Sequence, residues 1–283
     1  PVTVDDGKEI ARAVQMAKQS DVAVLVLGEA QIMSGENASR SSFDLPGRQQ
    51  ELLAAVMATG KPVVVLLMSA RPLDLKGLAP QALMQIWYPG TQGGAAVANV
   101  LLGEVSPGGK LPFTWPRNIG QVPLHYAHLQ SHFTHAMTER YWNEPNSPLY
   151  PFGFGLSYSS FEIQDLMLSQ PSLKASETLK VSVKLRNTGA RKADEVVQLY
   201  VRQKAGSSAR PVRELKAFRR VSLDAGATQT VSFDLPASEL QYWSAAVRRF
   251  VLETADFEVF VGNDATAKLA GKFQLEGEAI ARP

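Results

Sequence analysis

The sequence predicts an α/β half followed by an all-β half. Up to about residue 116 the apolar residues alternate between helical spacing and short continuous runs, a pattern typical of βαβ units with a mostly parallel sheet. After Ser157 the apolar residues recur at every second position between turn-forming residues, which favours an antiparallel β-sandwich. We therefore expect a first domain over residues 1–130, an irregular connection over 131–157 and a β-sandwich over 158–283.

The elements of the first half follow from the apolar period and from the residues that begin or end helices. In order, we expect a helix capped by Asp5 and Asp6, a fully buried strand from Val22 to Leu27, a helix that begins at Gly47, a buried strand from Pro62 to Met68, a strand from Ala82 to Tyr88 and a helix from Gln92 to Leu102. The helix that begins at Gly47 is expected to end at Lys61 and the glycine before it.

The second half shows a period of two. Apolar and polar residues alternate over 179–185, 231–235 and 257–261. Turn-forming residues separate these runs, as in the segment from Asn187 to Gly189. Between the halves, from about Arg117 to Leu156, no period is visible, and such a stretch is usually a domain connection or a functional loop.

Composition excludes several classes of function. The 283 residues carry a formal net charge of +2, which gives no field for attracting nucleic acid or an anionic membrane. The chain has no cysteine, so disulfides, thiolate metal sites and cysteine nucleophiles are excluded. Its apolar runs fall short of the roughly 18 residues that a membrane span needs. Because the chain begins at Pro1 without a signal-peptide pattern, we expect a mature or truncated C-terminal piece of a longer protein.

The loop from Gly28 to Gly47 is the strongest candidate for a functional site. It follows the first predicted strand, and open α/β sheets bind ligands at the carboxyl ends of their strands. Glu36 lies there among small polar residues and could protonate a leaving-group oxygen, although a solvated loop carboxylate is the alternative. Glu29 competes with it, but a pairing with Arg40 or Arg48, or a turn cap, suits its place directly after the strand.

The four histidines form the second candidate. His125, His128, His132 and His135 would share one face of a helix, which suggests a metal site. However, they lie in the irregular connection and have no carboxylate partner in the segment, so we expect no metal. Contact with a substrate or a neighbouring domain is the alternative for these imidazoles. Tyr141 lies in the same connection and, like the tryptophan after it, is a candidate for a cleft edge.

Other catalytic and cofactor motifs are missing. The glycines between Pro89 and Gly94 match neither the dinucleotide-binding fingerprint nor a P-loop, and close packing of a helix on a sheet explains them. No G-x-S-x-G elbow supports a serine hydrolase. We expect no cofactor.

A series of short motifs occurs in a fixed order along the chain. The motifs before the β-sandwich are Gly28-Glu29, Ser34-Gly35-Glu36, Leu45-Pro46-Gly47, Trp87-Tyr88-Pro89-Gly90, Pro107-Gly108-Gly109-Lys110-Leu111-Pro112 and Tyr150-Pro151-Phe152-Gly153-Phe154-Gly155-Leu156-Ser157-Tyr158. Those of the β-sandwich are residues 187–189, 195–201 and 214–218. This order resembles the family 3 glycoside hydrolases, in particular their bacterial periplasmic β-glucosidase type, whose fibronectin type III-like domain the last three segments resemble. The resemblance covers essentially the whole chain, and the order of the motifs is more specific than any one of them.

The resemblance implies a fold and an activity. The fold would be an αβα sandwich with a mostly parallel sheet, then a fibronectin type III-like β-sandwich, both preceded in the full-length protein by a barrel that this chain lacks. The family's nucleophile is an aspartate in a Ser-Asp-Trp motif on the barrel, and this chain has no such tripeptide. By motif, the general acid/base falls on Glu36. Ser39 and Arg40 would then be edge contacts of the substrate. An internal pair of Glu36 with Asp44 is the less favoured possibility, since a structural role near a helix start suffices for Asp44.

The resemblance therefore implies the C-terminal part of a retaining β-glucosidase that acts on terminal nonreducing β-D-glucosyl residues, inactive without its barrel. Its partners would be the β-glucoside substrate and that barrel, and its location periplasmic or secreted. A β-xylosidase or exo-glucanase of the same family is one alternative. A carbohydrate-binding or scaffolding module without catalysis is the other.

Overall fold

The computed structural model describes residues 7–129, 141–277 and 279–280. The predicted cap at Asp5 and Asp6, and the imidazoles of His132 and His135, lie outside the described residues. The described chain forms two compact units, the first comprising residues 7–102 and Pro116–Val122, the second Gly103–Trp115 and the residues from Pro123 onward. The domain boundaries expected at residues 130 and 157 stay a prediction.

The first unit contains a parallel sheet, as the apolar pattern predicts. Within the described residues the sheet has the strand order β1-β2-β3, and Gly28 at the end of β1 is in register with Met68 at the end of β2. Both strands therefore end at the same edge. The elements of this unit are α1 (Gly7–Lys18), β1 (Ala23–Gly28), α2 (Gln49–Met57), β2 (Val63–Met68), β3 (Ala82–Gln85) and α3 (Gly93–Leu101).

Besides shifts of one residue at the ends of β1, β2 and α3, three details differ from the prediction. The second helix begins at Gln49, because Gly47 has a φ of 60°, a left-handed conformation that a helix does not continue. β3 ends before Trp87, whose φ of 54° is equally incompatible with an extended strand. The prediction that β1 is fully buried was wrong, since Val26 is 60% exposed. Among the described elements β1 lies at the edge of the sheet and one of its faces is not covered.

The core of the first unit lies on β2. Val63, Val65 and Leu67 are fully buried on this strand, as is Leu53 of α2. α2 packs against both α1 and β1. The described residues include no helix long and apolar enough to cross a membrane.

The second unit contains the predicted β-sandwich. Its two larger sheets have the strand orders β5-β13-β12-β7-β8 and β4-β6-β9, and a small sheet has the order β10-β11-β14. The strands are β4 (Phe161–Leu168), β5 (Ser172–Lys174), β6 (Thr178–Asn187), β7 (Ala193–Gln203), β8 (Glu214–Leu223), β9 (Thr228–Pro236), β10 (Tyr242–Ser244), β11 (Arg249–Leu252), β12 (Ala255–Gly262), β13 (Leu269–Glu276) and β14 (Ala279–Ile280). Alternate residues of β6, β7, β9 and β12 form one continuous core, which accounts for the period of two in the sequence.

Buried polar contacts join the irregular segments of the second unit to β7. The Lys110 ammonium lies 2.7 Å from the Glu195 carboxylate, and both side chains are mostly buried. Gln198 donates hydrogen bonds to the carbonyls of Gly153 and Asn263. At Gly153 the φ is +80° and a Cβ would lie 2.2 Å from Gln198 Oε1, so only glycine fits this approach.

Tyr200 belongs to the same polar cluster, and its burial predicts that the second unit becomes less stable at alkaline pH. Its side chain is fully buried, its hydroxyl donates to Gln198 Oε1, and burial raises the pKa of the phenol. The folded state therefore resists an ionisation that the unfolded chain undergoes near pH 10, and stability should fall as the pH rises above that value, by up to about 1.4 kcal/mol per pH unit.

We expect Tyr200→Phe to remove this alkaline dependence. Near pH 7 the variant should lose about 1 kcal/mol with its hydrogen bond, and the difference from wild type should shrink or reverse above pH 10. Urea unfolding at a series of pH values measures both effects. Tyr158→Phe is the control, because Tyr158 is 43% exposed. Parallel stability curves for wild type and Tyr200→Phe would show that Tyr200 does not carry the dependence.

Candidate functional site

The first residue of the candidate loop, Gly28, is closely packed at the carboxyl edge of the sheet. At Gly28 the φ is +135°, and a Cβ would lie 1.9 Å from the Met68 carbonyl oxygen, so a side chain is excluded there. The Gln49 side chain accepts from the Gly28 N–H at 2.7 Å and donates to the Gly28 carbonyl at 2.9 Å. The next backbone N–H, that of Glu29, donates to Met68 at 2.8 Å. These contacts hold the first residues of the loop against the end of β2 and the start of α2.

Glu29 is a buried carboxylate held between two guanidinium groups. Its side chain is fully buried, with Arg40 Nη1 at 2.6 Å from one oxygen and Arg71 Nε at 3.1 Å from the other. The predicted pairing with Arg40 is confirmed, whereas Arg48 pairs with Glu51 on the surface. A buried carboxylate is stable only when it is paired and hydrogen-bonded in this way. Glu29 therefore stabilises the fold of the loop.

Arg71 is the residue that the sequence analysis missed. Its Nη2 donates to the carbonyls of Met33 at 2.6 Å and Ala38 at 2.9 Å. These two carbonyls lie on either side of Glu36 in the chain. The available signal was the position of Arg71 just after β2, at the edge where β1 also ends.

The turn between these carbonyls presents Glu36. Gly35 and Asn37, its neighbours in the chain, have φ values of 119° and 60°, both in the left-handed half of conformational space. The Ala38 N–H donates to the Gly35 carbonyl at 3.2 Å and closes the turn. Glu36 is exposed at its tip. Hydrogen bonds from Arg71 thus hold the backbone of the turn, while Glu36 itself is exposed.

The other predicted site residues lie on the same loop. Ser39 is exposed, and Arg40 is partly buried. Arg40 Nη2 donates to the Asp44 carbonyl at 2.9 Å, so both terminal nitrogens of Arg40 are engaged within the loop. Whether either residue contacts a substrate stays a prediction.

Asp44 has a partner of its own. Lys76 Nζ lies 2.6 Å from its carboxylate, and this hydrogen bond raises the pKa of Lys76. The backbone of Asp44 forms a bridge with Asp74, and the Asp74 N–H donates to the Phe43 carbonyl at 2.7 Å. These contacts give Asp44 a structural role, in the loop segment that precedes α2.

A tyrosine from beyond β3 completes the described site. The Tyr88 hydroxyl lies 3.0 Å from Ser34 Oγ and donates to the Glu29 carbonyl at 3.4 Å. It therefore bridges the beginning of the loop and the turn that carries Glu36. Residues at the carboxyl ends of β1, β2 and β3 thus all contribute to holding the loop, at the edge where open sheets usually bind ligands.

The two described histidines lie in the second unit. His125 and His128 are exposed and line a cavity of about 600 Å³ together with Tyr126 and Phe152. The described residues contain no group of three or more acidic or histidine side chains that could hold a metal ion. Since His132 and His135 are not among them, the expectation of no metal stays a prediction. Tyr141 is partly buried and Trp142 is fully exposed.

Comparison with protein families gives two matches. The glycosyl hydrolase family 3 C-terminal domain matches residues 3–158, more than half of the chain. The chain belongs to glycosyl hydrolase family 3. A fibronectin type III-like domain matches residues 195–265, within the β-sandwich of this family 3 chain.

Curated relatives and solved structures agree with this assignment. A periplasmic beta-glucosidase of Salmonella typhimurium is 40% identical over 274 residues, which are 94% of this chain and 36% of the relative. A beta-xylosidase of Formosa agariphila is 41% identical over 257 residues, 90% of this chain and 35% of the relative. The crystal structure of a beta-glucosidase from Listeria innocua in complex with glucose superposes with a TM-score of 0.91 at 34% identity, covering 96% of this chain and 39% of that one. The family 3 chain therefore spans little more than a third of the length of these relatives.

Proposed function

We propose that this chain is the C-terminal part of a retaining β-glucosidase and that Glu36 is its general acid/base. One observation carries the proposal: Glu36 is exposed on a turn whose backbone is hydrogen-bonded to Arg71 at the carboxyl edge of a parallel sheet. Such an arrangement suits proton transfer, because the group must reach the substrate while its position stays constant. The beta-glucosidases among the relatives and solved structures support the choice of sugar.

The reaction requires a second carboxylate. In the retaining mechanism, Glu36 protonates the glycosidic oxygen while an aspartate attacks the anomeric carbon, and the bond to the leaving group breaks. Glu36, now a carboxylate, then takes a proton from water as that water displaces the aspartate. The two carboxyl groups of such enzymes stand about 5 to 5.5 Å apart. We propose that the aspartate belongs to an N-terminal barrel of the full-length protein, so that this chain alone does not hydrolyse glycosides.

A second candidate keeps the mechanism and changes the sugar. Two relatives from Formosa agariphila are described as a beta-xylosidase and a putative beta-xylosidase, at 41% and 37% identity. A xyloside lacks the hydroxymethyl group of a glucoside. The ratio of kcat/KM for aryl β-glucoside and aryl β-xyloside therefore distinguishes the two candidates. We further propose a periplasmic or secreted location, supported by the description of the Salmonella relative.

Azide tests the role of Glu36. In the full-length protein, Glu36→Ala should hydrolyse an activated aryl β-glucoside slowly, because no base is left to activate water for the second step. Azide needs no deprotonation, so its nitrogen should displace the aspartate and release β-glucosyl azide, with turnover rising as azide is added. Wild-type turnover should not rise with azide. A Glu36→Ala variant that retains full activity, or that azide does not accelerate, would contradict the assignment.

A further inference from the structure

We propose that Arg71 is a positioning residue for catalysis, whose guanidinium holds the Glu36 carboxylate in register with the substrate. This inference rests on the proposed role of Glu36 and adds a residue that lies outside the candidate loop. Arg71 follows β2, while Glu36 follows β1.

The contacts of Arg71 enclose the segment that carries Glu36. One nitrogen, Nη2, donates to the carbonyls of Met33 and Ala38, at 2.6 and 2.9 Å. Both ends of the turn are therefore attached to the same atom. A shift of the guanidinium moves the two ends together, and its loss leaves two carbonyls of a partly buried loop without their donor.

Arg71 is itself fixed in position. Its Nε donates to Glu29 at 3.1 Å, and the other oxygen of that fully buried carboxylate is held by Arg40. Its backbone carbonyl accepts from the Ser69 hydroxyl at 2.8 Å, and Ser69 is fully buried. A continuous series of hydrogen bonds thus runs from the sheet through Arg71 to the turn.

Only an arginine has the donor geometry for these contacts. The planar guanidinium carries donors that point in several fixed directions, so one side chain reaches a carboxylate and two carbonyls. A lysine would keep the positive charge beside Glu29 but has a single nitrogen. Arg71→Lys therefore separates the neutralisation of Glu29 from the attachment of the turn.

We expect the loss of the Arg71 contacts to lower the rate of catalysis. Misplacement of a reacting group by about 1 Å can cost roughly a hundredfold in rate. Because Glu36 is proposed to act as acid in the first step and as base in the second, its displacement should slow both. Azide bypasses only the base step, so acceleration by azide reports on the position of Glu36 and does not report on the amount of folded enzyme.

The experiment compares Arg71→Lys and Arg71→Gln with Glu36→Ala in the full-length protein. Both arginine variants should show a kcat for an activated aryl β-glucoside that is lower by about 10- to 100-fold, a KM within a few-fold of wild type, and an increase of kcat with azide. Arg12→Gln is the matched control, because Arg12 lies on the exposed face of α1 and pairs loosely with Glu9 at 3.6 Å. It should match wild type with and without azide.

Every other outcome contradicts either the inference about Arg71 or the proposed function. Wild-type activity in Arg71→Lys would overturn the inference, as would a loss of activity that follows the loss of folded protein and does not respond to azide. If neither arginine variant folds, Arg71 serves folding and the positioning role is rejected. If Glu36→Ala does not respond to azide, the proposed function itself fails. If Glu36→Ala responds and the folded arginine variants do not, only the inference about Arg71 fails.

Discussion

Replacement of Glu36 by glutamine in the full-length protein should reduce kcat/KM for a β-glucoside with a poor leaving group by about 10²- to 10⁴-fold. An alkoxide leaves slowly unless it is protonated, and glutamine keeps the shape of the side chain without the acidic proton. A dinitrophenolate leaves without protonation. For a dinitrophenyl β-glucoside, kcat/KM should therefore fall much less, because the first step does not need the acid. The measurement is kcat/KM for wild type and Glu36→Gln over a series of leaving groups.

The control for this series is Glu9→Gln, on the exposed side of α1. Its kcat/KM should follow wild type across all leaving groups. A loss in Glu36→Gln that is the same for every leaving group would show that the variant lowers binding or folding and does not remove an acid. An undiminished rate for the poor leaving group would exclude Glu36 as the proton donor.

Replacement of Glu29 by glutamine should lower the free energy of unfolding of the first unit by about 3 to 5 kcal/mol. Glu29 is 1% exposed, and its carboxylate supplies the negative charge between two guanidinium groups, a charge that the amide lacks. Arg40 and Arg71 would then be left as partly buried charges without their counter-ion. Because Arg71 also holds the turn, the same variant should show reduced activity where it still folds. Urea unfolding followed by circular dichroism measures the loss of stability.

Glu51→Gln is the matched control for Glu29. Glu51 also pairs with an arginine, Arg48, but the Glu51 side chain is 55% exposed. Exposed ion pairs contribute little to stability because water and salt screen them. The unfolding curve of Glu51→Gln should therefore stay close to that of wild type. Equal effects of the two substitutions would show that the burial of Glu29 is not what makes its pairing important.

Much of the fold could be predicted because the relevant signal is local. Apolar residues that recur every 3.6 residues in a helix, or every second residue in a strand, indicate which face of the element is buried. The parallel sheet and the sandwich therefore followed from the pattern. The end of β3 did not, since the left-handed conformation of Trp87 has no signature in a single sequence. The exposed face of β1 was equally hidden, because a continuous apolar run looks the same on an edge strand as in a buried one.

The amino-acid pattern was enough to predict that the Gly28–Gly47 loop follows a strand of a parallel sheet, that Glu36 is its candidate acid, and that Glu29 has an arginine partner within reach. How the loop is held became visible only in the packed structure. Arg71 lies far from Glu36 along the chain, and it meets the carbonyls of Met33 and Ala38 because Gly28 and Met68 are in register at the ends of β1 and β2. Local periodicity reflects the burial of single elements, whereas a hydrogen bond between two loops depends on the positions that the packed strands give them.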